Sequence, residues 1–172
     1  LIMERFWQIK SKKNDSNFFS MVEFNNGIKK KKSNDQRLFS PFKESLDLFY
    51  LSLLIGLKHN IKSDTDNYEL GELTDEWTKD LSENSNAKDY IIAIYLTEIT
   101  KNIQNDKSKI KLTLNKVLDS KKKTSLSKDG LKEIHEFAFG GYEKIIEKFN
   151  NEAPSSIVSF FSNYKELLDK TN

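Results

Sequence analysis

Between Ser40 and Asn60 the chain carries two apolar stripes at helical spacing: Phe42, Leu46, Phe49, Leu53 and Leu57 on one, and Leu48, Leu51, Leu54 and Ile55 on the other. A helix that is apolar nearly all the way round has no face to offer to water, so it must lie at the centre of a packed body. Its ends carry matching signals. Ser40 suits the N-cap, Pro41 suits a first helical position where the missing N–H costs nothing, and Glu44 favours the positive end of the helix. Lys58 and His59 favour the negative end, and Asn60 is able to close it. The spacing therefore predicts a central helix over 41–58 with Leu53 in the core.

More helices follow. Ile92, Tyr95, Leu96, Ile99 and Ile103 form one stripe of a helix predicted from Ala87 to Gln104, with Ile91 and Ile94 beside it. Over 107–120, Ile110, Leu114, Val117 and Leu118 stand at helical spacing, while Ile110, Leu112 and Leu114 also alternate as in a strand. Thr124–Lys128 is a polar break. From Asp129, the residues Leu131, Ile134, Ala138, Gly141, Ile145 and Phe149 line one helical face, and Pro154 is expected to open a last helix with Ile157, Phe160, Tyr164 and Leu168. The acidic connection over 61–86 holds Leu70, Leu73, Trp77 and Leu81, spaced for a short helix near 73–81. Gly140-Gly141 inside a helical pattern costs roughly 1 kcal/mol per glycine relative to alanine. Gly141 falls on the apolar face, which points to close helix–helix contact or a kink.

The N-terminal part reads differently. Residues 3–9 and 18–24 are aromatic and β-branched, are separated by a polar stretch, and read as two short strands. Asn25-Asn26-Gly27 is a turn signal, followed by a basic segment. The expected architecture is thus mainly α: a compact domain of about five helices over 38–172, preceded over 1–37 by a short β-hairpin arm and a basic linker. An isolated hairpin is marginal in water, so the arm is expected to lie either on the helical body, completing its core, or on a partner. Its large aromatics Phe6, Trp7, Phe18, Phe19 and Phe24 are the expected partner-binding residues, suited to an interface or to strand addition.

Charge divides the chain into zones although the formal net charge is only +2: residues 1–40 carry +5, residues 64–83 carry −7, and residues 101–123 carry +6. Lys29, Lys30, Lys31 and Lys32, with Lys121, Lys122 and Lys123, are runs able to neutralise phosphates and are the expected nucleic-acid contacts. A lysine is a point charge without the fixed fork of arginine, so such contacts are expected to be non-specific.

Catalytic chemistry has little to stand on. With no cysteine in the chain, there is no disulfide framework, thiol nucleophile or thiolate metal site, which suits a reducing cytoplasm. The two histidines, His59 and His135, are far apart in sequence and read as structural or surface residues. No H-E-x-x-H, Walker A, G-x-G-x-x-G or G-x-S-x-G motif occurs. Asp64-Thr65-Asp66 begins like a calcium loop, but Glu69 and Asp75 stand where such a loop needs glycine and glutamate. No enzyme activity, cofactor, metal or small-molecule substrate is expected. No run reaches the length of a membrane span, and Leu1–Arg5 is not read as a signal peptide, since no basic stretch precedes an apolar one.

The run from Ser40 to Lys58, SPFKESLDLFYLSLLIGLK, resembles the opening of small accessory proteins associated with bacterial DNA-phosphorothioation (Dnd) systems. Ala87–Tyr95 and His135–Ile145, with its Phe137-Ala138-Phe139-Gly140-Gly141, are similar to later segments of that family, so the likeness covers about 38–149. Phe137 replaces the tyrosine usual in that family, and the acidic insert and the N-terminal arm depart from its pattern. The resemblance implies a non-catalytic, cytoplasmic accessory subunit of an antiphage defence complex, bridging a larger ATPase or nuclease subunit and DNA. The rival expectation is a small DNA-binding transcriptional regulator of ribbon-helix or helix-turn-helix type. Against it stand the apolarity of the main helix and the near absence of arginine.

Overall fold

The computed structural model describes residues 45–64, 85–103, 105–150 and 156–169. These are mainly helical: α1 Ser45–His59, α2 Ser85–Thr100, a 3-10 turn Lys101–Ile103, α3 Lys107–Val117, α4 Lys128–Lys148 and α5 Ile157–Asp169. Extended pairing among the described residues is limited to one antiparallel bridge, Leu118–Leu126. The expected N-terminal strands, the start of the first helix over 41–44 and the short helix near 73–81 lie outside the described residues. The chain divides into two units, one made of Leu1–Glu72 with Glu136–Asn172 and the other of Leu73–His135, so the division falls within α4.

In the first unit α1 is central, as its all-round apolarity requires. Leu48, Phe49, Leu53, Ile55 and Leu57 are buried, and Lys58 is its one exposed residue among 48–59, apart from the half-buried positions. The buried Ser52 hydroxyl donates to the Leu48 carbonyl within the same helix (2.7 Å), which removes the cost of a lone polar group there. Asn60 closes α1 in the left-handed conformation (φ 51°), with Ile61 N–H bonded to Gly56 O (2.8 Å) and Asn60 N–H to Leu57 O (3.1 Å). That pair of bonds is a Schellman cap. Leu48 and Ile55 of α1 cluster with Phe139, Tyr142, Ile145 and Ile146 of α4 and with Phe160, Tyr164 and Leu167 of α5.

Glycine sets the approach of α1 to α4. A Cβ on Gly141 would overlap the Ser52 carbonyl oxygen and the Gly56 nitrogen, and a Cβ on Gly56 would overlap the Phe137 carbonyl oxygen. Backbone thus lies on backbone, and the cost of glycine in a helix is offset by this close contact. The segment after α1 then turns across α4: Ser63 N–H donates to Glu136 O (2.9 Å), and the Lys62 ammonium sits 4.6 Å from the Phe137 ring centre.

α5 begins at Ile157 rather than at Pro154. The Ser156 hydroxyl accepts from the Ser159 amide (3.1 Å), so a serine takes the capping role, and Pro154 itself lies outside the described residues. The Tyr164 hydroxyl donates to Leu51 O (2.8 Å), His59 Nε2 lies 2.8 Å from Leu167 O, and Lys58 bonds to Leu168 O. A carbonyl only accepts, so His59 carries its proton on Nε2. The two basic residues ending α1 thereby satisfy the last carbonyls of α5, where the helix dipole favours positive charge.

In the second unit α2 starts at Ser85, two residues earlier than its apolar spacing suggests, and it tightens into the 3-10 turn after Thr100. The Thr100 hydroxyl bonds back to Leu96 O (2.7 Å), a competing local bond that suits a helix end. Ile91, Ile92 and Tyr95 are buried, and the Tyr95 hydroxyl donates to Glu133 of α4 (2.5 Å). Residues 107–117 are helical, which decides the helix–strand ambiguity there. The Asp106 side chain caps this helix by accepting from Lys109 N–H (2.9 Å).

Candidate nucleic-acid interface

The basic zone over 101–123 occupies the 3-10 turn, α3 and the turn that follows it, all in the second unit. α3 buries little of itself. Val117 is its only buried residue, Ile110, Thr113 and Leu114 are half-buried, and the other seven are exposed. Those seven are Lys107, Ser108, Lys109, Lys111, Leu112, Asn115 and Lys116. The stripe expected from helical spacing, Ile110, Leu114 and Val117, does face inward, which turns Leu112 outward at 72% exposure.

The turn after α3 is tightly framed. The Leu118–Leu126 bridge closes it, Asp119 N–H bonds to Ser125 O (3.1 Å), Lys122 N–H to Asp119 O (3.1 Å) and Ser125 N–H to Lys122 O (2.9 Å). The Asp119 carboxylate accepts from the Lys121 amide (3.0 Å), and the buried Thr124 hydroxyl donates to Leu126 O (3.2 Å). Lys121, Lys122 and Lys123 stand exposed on this frame. Ser127 then joins the two flanking helices: its hydroxyl donates to Lys116 O (2.6 Å) and accepts from Gly130 N–H (3.1 Å). Gly130 lies so close to the Val117 carbonyl that a Cβ there would overlap it. The three lysines are thus held on an ordered support directly after α3.

Lys109 pairs with Asp106 (3.5 Å) and Lys101 with Glu98 (2.5 Å), so part of the positive charge is locally offset. No ion pair to a described residue is found for Lys107, Lys111 or Lys116. The run at 121–123 marks this surface in the sequence, whereas the α3 lysines stand apart from one another and form no run. Lys29, Lys30, Lys31 and Lys32, and the aromatic residues Phe6, Trp7, Phe18, Phe19 and Phe24, lie outside the described residues.

Elsewhere, the first unit holds an open cleft of about 410 Å³ lined by His59, Ile61, Lys144, Lys148, Asn150 and Leu167 among others. Its lysines are engaged, Lys144 with Glu147 (2.9 Å) and Lys148 with Glu166 (2.6 Å). His135 is buried, and burial holds its pKa well below the ordinary 6.5, so its imidazole is neutral. Among the described residues there is no group of three or more His, Cys, Asp or Glu side chains able to hold a metal ion, and no helix is long and apolar enough to cross a membrane. No protein-family model, characterised protein or solved structure matches the chain.

Proposed function

We propose that this chain is a non-catalytic accessory subunit of a bacterial antiphage defence complex, acting in the cytoplasm and bridging a larger ATPase or nuclease subunit and DNA. The observation that carries the DNA contact is the exposed, lysine-bearing surface formed by α3 and the framed turn at Lys121–Lys123. Lysines on such a surface displace counterions from phosphates, a source of affinity that is strong at low salt and indifferent to sequence. The defence assignment rests on the resemblance of residues 38–149 to accessory proteins of phosphorothioation systems. The aromatic residues of the first 37 positions are the proposed contact with the larger subunit.

The rival reading, a DNA-binding regulator, is favoured by one feature: in the second unit a helix, a short turn, an exposed helix and a lysine-tipped bridge follow one another. Affinity purification from the source cell separates the two. Co-purification of a large ATPase or nuclease, lost when residues 1–27 are deleted from a chain that still folds, supports the accessory subunit. A free protein bound to one operator supports the regulator. For the DNA contact itself, the purified protein should retain duplex DNA at low salt, and Lys121→Ala/Lys122→Ala/Lys123→Ala should reduce the slope of log affinity against log salt concentration by about one per lost contact.

A further inference from the structure

We infer that α3 enters the major groove of B-form duplex DNA, with its lysines on the two phosphate strands and Leu112 and Asn115 against the base edges. The inference rests on the DNA contact proposed above and adds to it a docking geometry.

The distribution of side chains around α3 carries it. At about 100° per residue, Lys107 and Lys111 fall on one border of the exposed arc, and Lys109 and Lys116 fall on the other. Ser108, Leu112 and Asn115 lie between them. Leu112, 72% exposed, thus stands within that arc beside Ser108 and Asn115. A helix in a groove needs this arrangement. The major groove of B-DNA is about 12 Å wide and admits one α-helix, with a phosphate strand along each side and base edges on its floor. Lysines at the borders meet the strands, and the centre meets the floor. There a leucine packs on the thymine methyl, and an asparagine amide offers one donor and one acceptor to adenine.

The surroundings of α3 fit the same docking. α2 and the 3-10 turn precede it, as a supporting helix precedes a groove-entering one. The framed turn follows, holding Lys121, Lys122 and Lys123 in reach of the backbone beside the groove. Double-stranded RNA is a poor match, because its A-form major groove is too deep and narrow for side chains to read. An acidic protein surface would also satisfy the lysines, and polyglutamate stands for it in the test.

The test uses the full chain and a mixed-sequence 20-base-pair duplex, with the same sequence as a single strand, an RNA duplex and polyglutamate as competitors. The duplex DNA should bind about tenfold or more tightly than each of the others. Leu112→Glu should lower duplex affinity by about tenfold or more with an unchanged melting temperature, since the side chain is exposed. Methylating guanine N7, which fills the major groove, should weaken binding as well. If Leu112→Glu and Asn115→Ala bind like the wild type while Lys121→Ala/Lys122→Ala/Lys123→Ala loses affinity, the phosphate contact stands and the groove docking is wrong. Equal affinity for polyglutamate and duplex DNA overturns the docking in favour of an acidic protein partner. If the full chain retains no DNA even at low salt, both the docking and the underlying DNA contact fall.

Discussion

Gly141 and Ser52 meet backbone to backbone: no side-chain atom fits between the Cα of one and the carbonyl of the other. Alanine is normally the better helix former by about 1 kcal/mol. At this position the sign reverses, because the new methyl group meets main chain that no rotamer change can move. Gly141→Ala is expected to cost a net of about 2 kcal/mol in urea unfolding. A variant as stable as the wild type would show that the two helices can separate freely.

Leu53 is 1% exposed on the central helix. Leu53→Asp places an unpaired charge in the core, a cost that exceeds the margin of an ordinary domain. Circular dichroism should show an unfolded or aggregated chain. Leu53→Ala, which leaves only a cavity, should fold with a loss of about 2–5 kcal/mol. A soluble Leu53→Asp protein with an unchanged melting temperature would contradict the central place of α1.

The buried His135 makes stability depend on acid. Its folded pKa is depressed, so above the ordinary 6.5 both folded and unfolded states are neutral there and the site costs nothing. Below 6.5 the unfolded chain takes up a proton that the folded chain refuses. Stability should therefore fall with pH by about 1.4 kcal/mol per unit from this group until the folded pKa is reached. In an NMR titration the His135 ring should keep its neutral signature at pH 6. A midpoint near 6.5 would be incompatible with its burial.

Burial, and secondarily Tyr50, raise the phenol of Tyr164, which stays protonated and donates to Leu51 O across α1 and α5. Tyr164→Phe keeps the ring in the cluster and removes only that bond. A loss of about 1 kcal/mol in the urea midpoint is expected. No loss would mean that water replaces the bond at no cost.

Much of the helical framework was legible as spacing. α1, α2 and α4 each carry three or more apolar residues per two turns on one face, a pattern that strands do not share. α3 was ambiguous for a physical reason: Ile110, Leu112 and Leu114 satisfy both periods, and only burial reveals that Leu112 points outward. The start of α5 was misplaced because proline is a familiar first-turn residue, yet Ser156 supplies the cap. Gly140-Gly141 announced a close contact, but its partner did not announce itself. Gly56 sits within an apolar run, where a single glycine reads as tolerated filling. The candidate interface was half legible, since the run at 121–123 is visible in one dimension, while the borders of α3 exist only once the chain is wound.

The contact between α1 and α4 also orders events during synthesis. The second unit, Leu73–His135, is encoded between the two helices that meet at Gly141, so α1 leaves the ribosome well before its packing partner exists. For that interval an almost wholly apolar helix lacks the α4 and α5 residues that pack against it in the folded protein. The first unit can close only after Glu136–Asn172 has emerged, which makes the nascent chain a client for holding chaperones and a candidate for aggregation if translation stalls within the second unit.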